Sequence, residues 1–139
     1  MVTSIVVGVW NGKLEVLPAQ EFAPPVDKSK LERFYHRISE NEALCFRDAD
    51  NARSTVEELA SSGHLDIEVF GAREEACLMC VIIDSVAAGL NVRVPKGFTF
   101  KHPFIGGYLN DQVQNRMYRT KVEYVFSEDS YFMFFSPKE

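Results

Sequence analysis

Residues 67–94 constrain the fold more than any other stretch. Ile67, Val69 and Phe70 are strand formers, and the run ends at Gly71, which is free to take a positive φ. Residues 76–88 have helical length and composition. Gly89 stands where a glycine just past a helix end would stop it. Val92 and Val94 open a second strand. So short a strand–helix–strand crossover requires two parallel strands in one sheet, joined right-handedly. Sites in parallel sheets lie at the carboxyl ends of strands, which directs attention to residues 71–77. Cys77 falls near the first turn of the helix, where free N–H groups and the dipole favour a thiolate. Within residues 76–88 only Asp84 and Ser85 are plainly polar, so the helix must be buried on nearly every side. One side can lie on the sheet, and the other needs a further element or a second subunit.

The rest of the chain fits one α/β domain of 139 residues, long enough to bury a real core. Residues 4–10 form a continuous apolar run, Asn11-Gly12 is a hairpin signal, and residues 13–17 alternate, so the chain should open with a β-hairpin. Pro18, Pro24 and Pro25 make an extended connector, and Asp27 is placed to cap a helix over residues 28–36. Residues 38–50 show no period and read as loop. Asp50 or Asn51 caps a helix through Ser61, closed by Gly63. Residues 95–107 read as a surface loop, 111–119 as a helix and 122–126 as a strand. The tail over residues 131–135 is intensely apolar.

A net charge of −5 argues against a nucleic-acid surface, and Lys28, Lys30 and Arg33 read as a solvated helix face. No apolar run reaches membrane-spanning length, and the first ten residues lack the pattern of a signal peptide. Three cysteines, Cys45, Cys77 and Cys80, make no disulfide framework, so a reducing, cytoplasmic setting is expected.

Gly71, Cys77 and Gly89 keep intervals that resemble the isochorismatase-like cysteine hydrolases: a glycine after a strand, the nucleophile six residues on, and a second glycine twelve past it. Asp84 stands where that family often has an acidic residue, and Phe34-Tyr35 with Phe46 resembles the segment carrying its lysine. The helix before Gly63 and the closing helix, strand and short end helix over residues 111–132 continue the resemblance, which covers about residues 32–132. It implies a reduced three-layer α/β sandwich with a mainly parallel sheet, and strands near 3–10, 66–70, 91–94 and 122–126. It also implies an oxyanion hole from the N–H groups of Ala72, Arg73 and Cys77, with a strained or cis peptide between Ala72 and Arg73.

The departures bear on activity. The family's triad is Asp, Lys and Cys; here Gly8 stands where the aspartate belongs and His36 where the lysine belongs. Too few residues separate Gly8 from His36 for the usual helix, second strand and metal-binding loop. Each candidate carries two readings. Cys77 is a nucleophile or a small buried apolar residue. His36 is an acid/base or an exposed helix-end histidine. Trp10 and Phe46, with Phe34 and Tyr35, line a pocket or fill a core. Cys77 and Cys80 resemble a zinc-deaminase half-site, but the chain has no His-x-Glu partner, and His64 and His102 stand alone. The preferred expectation is a degenerate, non-catalytic isochorismatase-like protein with a binding or assembly role. The alternative is a small cysteine hydrolase acting on an amide or similar acyl bond through Cys77; zinc deamination is the remote third. No cofactor or metal, no nucleic-acid partner and no membrane partner is expected. A homodimer, or a place in a protein complex, is expected from the helix, the apolar tail and a bare sheet edge beside the first strand.

Overall fold

The computed structural model describes residues 2–14, 28–72, 76–100, 111–120, 123–126 and 130–135. Chain order runs β1 (Thr3–Val7), β2 (Val9–Trp10), β3 (Lys13–Leu14), α1 (Lys28–Glu40), β4 (Leu44–Phe46), α2 (Ala49–Ser61) and β5 (Asp66–Ala72). It continues through α3 (Cys77–Ala87), β6 (Asn91–Pro95), β7 (Thr99–Phe100), α4 (Asp111–Arg119), β8 (Glu123–Phe126) and β9 (Tyr131–Phe135). The main sheet has the order β4-β1-β5-β6-β9-β8, with β7 paired to the end of β5. Strands β4, β1, β5, β6 and β7 pair in parallel, and β9 runs antiparallel to both β6 and β8.

The expected parallel pair is the heart of this sheet: β5 and β6 pair from Asp66↔Asn91 to Glu68↔Arg93, with α3 between them. Alternation along each strand sorts side chains onto two faces. Ile5, Val7, Ile67, Val69, Val92, Val94 and Phe134 face one core, shared with α2, α3 and α4. Val6, Phe70, Ala72 and Phe100 face the other, where Leu31, Phe34, Tyr35 and Ile38 of α1 pack. The chain leaves β1 towards β4 over one face and returns to β5 and β6 over the other. That division of helices is what right-handed crossovers require. The result is three layers around a mixed, mainly parallel sheet.

Several expectations change. α1 runs on to Glu40, and the supposed loop over residues 38–50 contains β4, which pairs Ile5↔Leu44 through Val7↔Phe46. The strand expected to be missing beside β1 is therefore supplied. The opening hairpin is local: β1 stops at Val7, and β2 pairs β3 about Asn11 (φ 52°) and Gly12 (φ 77°), the positive-φ pair of such a turn. The cap of α2 is Asp48, whose carboxylate accepts from the Asn51 N–H at 2.9 Å; Asp50 and Asn51 lie inside the helix. α3 starts at Cys77, with Ala76 at its N-cap and no side-chain cap bond. The tail is β9 rather than a short end helix: Phe132 and Phe134 turn to the α3 core and Tyr131 pairs with Pro95. Lys30, read as solvated, donates to the Thr99 carbonyl at 2.8 Å and lies over the Phe100 ring. The Asp27 cap, Arg73 and His102 lie outside the described residues.

The apolar helix finds its cover within the chain. Leu78, Cys80, Val81, Ile82, Ile83, Ser85 and Val86 are buried, between the sheet and α2 with α4. Asp84 ties the layer together: it accepts from Arg116 Nε of α4 at 2.9 Å and lies 3.9 Å from Arg53 of α2. Arg116 also lies 3.7 Å from Asp50. The helix is thus covered by α2 and α4, the tail is paired as β9 with Phe132 and Phe134 turned to the core, and β4 covers β1 while standing itself at the edge of the sheet, with Leu44 exposed. Among the described residues no helix is long and apolar enough to cross a membrane.

Candidate functional site

The strand order reverses between β1 and β5, since β1 leads to β4 on one side and β5 leads to β6 on the other. The carboxyl ends of these two strands form the topological switch point, where α/β sheets place ligands. Here that point is closed by backbone. Gly8 (φ 88°) donates its N–H to the Phe46 carbonyl at 2.9 Å. A Cβ on Gly8 would lie 2.8 Å from the Ala72 carbonyl oxygen. Gly71 (φ 117°) is equally tight, for a Cβ there would overlap the Val7 carbonyl oxygen. Both glycines are needed because β1 and β5 touch through their main chains.

Cys77 is the first residue of α3, partly exposed and bordering the apolar core. A pocket of 190 Å³ is lined by Leu78, Met79 and Ile82 of α3 with Val94, Phe132 and Phe134, and by Thr99 as its polar member; Cys77 is not part of its lining. Cys80, one turn on, is 1% exposed. Burial pushes its thiol up to about 11, so it is a structural thiol. Among the described residues no three His, Cys, Asp or Glu side chains gather as metal ligands.

The remaining sequence candidates do not converge on Cys77. His36 lies on α1, across the sheet from α3. Its side chain is 77% exposed, with Nε2 3.1 Å from a carboxylate oxygen of Glu40, one helical turn on. It cannot act as acid or base towards a thiol on the other face. Trp10 is 51% exposed on the β2–β3 hairpin, with the Arg47 guanidinium 5.7 Å from its ring centre. Phe46 turns to the α2–α3 core. Trp10 and Phe46 therefore do not form one pocket. Phe34 is fully buried against Phe70 and Phe100 in edge-on contacts, which makes it a core residue. Ala72 closes β5 against Gly8; the peptide from it to Arg73 falls outside the described residues. His64 sits at the exposed end of α2, its Nδ1 3.1 Å from Ser62 Oγ.

Sequence reasoning missed a polar cluster on the α1 face, towards the amino ends of the strands. Ser4, Glu68 and Arg93 occupy one row across β1, β5 and β6, through the pairings Ser4↔Glu68 and Glu68↔Arg93. Glu68 is 3% exposed and accepts from Ser4 Oγ at 2.8 Å, from Asn41 Nδ2 at 3.0 Å, and from the Arg37 guanidinium. Arg37 also donates to the Tyr131 hydroxyl at 3.2 Å and lies over the Phe98 ring. Burial works against the Arg37 charge, yet the bonds and charge of Glu68, with Tyr131, hold its pKa above the usual arginine value. The signal was present in period 2: Ser4, Glu68 and Arg93 interrupt three apolar strands, and their phases put all three on one face.

Comparisons with protein-family models, with curated proteins and with solved structures find no match for this chain.

Proposed function

We propose that this chain is a shortened isochorismatase-like domain in which hydrolytic chemistry has lapsed and a binding or assembly role remains. The observation that carries the reading is the contact of Gly8 with Ala72. At the position where the resemblance calls for a base, even a Cβ would lie 2.8 Å from the Ala72 carbonyl oxygen, so an aspartate there requires the β1–β5 junction to shift. His36 adds to it, because the sheet stands between it and Cys77. A cysteine hydrolase needs its thiol within hydrogen-bond reach of a base; neither Gly8 nor His36 supplies one, and the other acidic candidates, Asp27 and Glu74, lie outside the described residues. The helix dipole at the head of α3 favours a thiolate by only about 0.3–1 kcal/mol, far less than a paired base contributes.

The competing reading, an amide-type hydrolase, draws on one specific feature: Cys77 is partly exposed at the start of α3, whose next residues Leu78 and Met79 line an open apolar pocket. A panel of small activated amides and esters separates the two. The proposal expects the same background rate from the wild-type protein and from Cys77→Ala. Turnover that disappears in Cys77→Ala would establish the hydrolase instead. Sedimentation of the purified protein tests the assembly arm, with a species heavier than the 15.8 kDa chain expected if its role is to oligomerise.

A further inference from the structure

The polar cluster borders a cavity of 460 Å³ on the α1 face of the sheet. Its walls include Ser4, Arg37, Glu68, Arg93 and Tyr131, with Glu40 and Glu42 also lining it. The charges in it are unevenly matched. Glu68 is saturated by Ser4, Asn41 and Arg37, so Arg37 and Glu68 neutralise each other. Glu40 has His36 beside it. Arg93 has no ion-pair or hydrogen-bond partner among the described residues; its guanidinium lies 5.4 Å from the Tyr131 ring centre, and its Nε is buried and unbonded. Arg93 therefore brings guanidinium N–H donors with no bonded partner among the described residues to a wall that also carries the carboxylates of Glu40 and Glu42. Tyr131 accepts from Arg37 through its hydroxyl oxygen, which leaves its own O–H free to donate. A cation with a planar fork, a hydroxyl donor and an aromatic ring on one wall match a carboxylate.

We propose that this cavity binds a small organic acid, whose carboxylate pairs with Arg93 and accepts a hydrogen bond from Tyr131. With Nε covered, the carboxylate meets the guanidinium at its terminal nitrogens. The volume limits the ligand to a metabolite-sized molecule. The site lies across the sheet from Cys77, so it stands or falls independently of the isochorismatase-like reading.

Calorimetric titration of the intact protein with succinate, L-glutamate and inorganic phosphate tests the assignment. Saturable binding of succinate or L-glutamate is expected, weakened about tenfold to a hundredfold in Arg93→Gln, as the loss of a charge-assisted hydrogen bond implies. Tyr131→Phe should weaken it less, and Arg93→Lys should keep part of it. Thermal unfolding supplies the second readout. Arg93→Met removes the unbonded buried nitrogen without putting another polar atom in its place, so that variant should be at least as stable as the wild type while losing the ligand. No saturable binding of either acid, equal binding by Arg93→Gln, or a preference for phosphate over both acids would overturn the proposal.

Discussion

The two faces of the sheet are built on different physics. Towards α2, α3 and α4, Ile5, Val69, Val92 and Phe134 meet side chains such as Ile82, Ile83 and Val86 in a continuous apolar core. Its charged ties, Asp84 with Arg116 and Arg53 and Arg116 with Asp50, lie between helices. Towards α1 the core is smaller, built on Phe34, Phe70 and Phe100, and beside it the same strands carry Ser4, Glu68 and Arg93. An apolar face tolerates change in proportion to the volume removed. A face organised by a buried ion pair tolerates loss of both partners better than loss of one. The face that holds Cys77 is therefore the plainer one, and the elaborated polar chemistry lies opposite.

The sharpest way to break this contrast is Arg37→Ala. It leaves Glu68 buried without its cation, and a loss of about 3–5 kcal/mol in denaturant unfolding is expected. The double variant Arg37→Met/Glu68→Leu should recover most of that loss. If the single and double variants are equally unstable, the pair does not organise the face. Next in size is Gly8→Asp, which restores the acid that the resemblance calls for. The positive φ alone costs about 1–3 kcal/mol, and the Ala72 contact adds to it. The variant should be less stable and show no Cys77-dependent hydrolysis; a stable, active Gly8→Asp protein would mean the β1–β5 junction can still hold a base. Asp48→Ala removes the cap of α2 and should cost about 1 kcal/mol. His36→Ala removes only an exposed pair and should shift stability by no more than about 0.5 kcal/mol.

Cys80 adds a pH dependence on the apolar face. Its folded-state pKa, about 11, lies above the ordinary thiol value of ~8.5. The stabilisation linked to it is therefore fully present below pH ~8.5 and lost as pH rises towards the folded value. The fall in unfolding free energy between pH 8 and pH 10 should be larger in the wild type than in Cys80→Ala, and equal falls would show that the thiol is not buried in solution.

Local chemistry made β5, α3 and β6 legible in the sequence, because Gly71 and Gly89 punctuate a strand–helix–strand run whose composition admits little else. The turn at Asn11-Gly12 and the helices α2 and α4 were legible for the same reason. β4 was not: Leu44–Phe46 is three residues long and becomes a strand only by pairing with β1. Asp48, Asp50 and Asn51 all have capping chemistry, and geometry alone selects Asp48. The cover of α3 was misjudged because α2 and α4 come from distant parts of the chain. The polar cluster escaped because its partners are far apart in sequence: Ser4 and Glu68 by 64 residues, Arg37 and Tyr131 by 94. The residues that were singled out, Cys77 and His36, carried a resemblance that says nothing of which sheet face each would occupy.

The central claim is that Cys77 is not an activated nucleophile, and its alkylation rate tests that most directly. In a Cys45→Ser background, which removes the exposed thiol, iodoacetamide labelling at pH 7 would be followed by intact mass. The account predicts that Cys77 reacts no faster than an ordinary free thiol, with Cys80 protected unless the protein is unfolded. Rapid stoichiometric labelling near neutral pH, absent when Cys77→Ala is added, would contradict it and place a working base beside the sulfur.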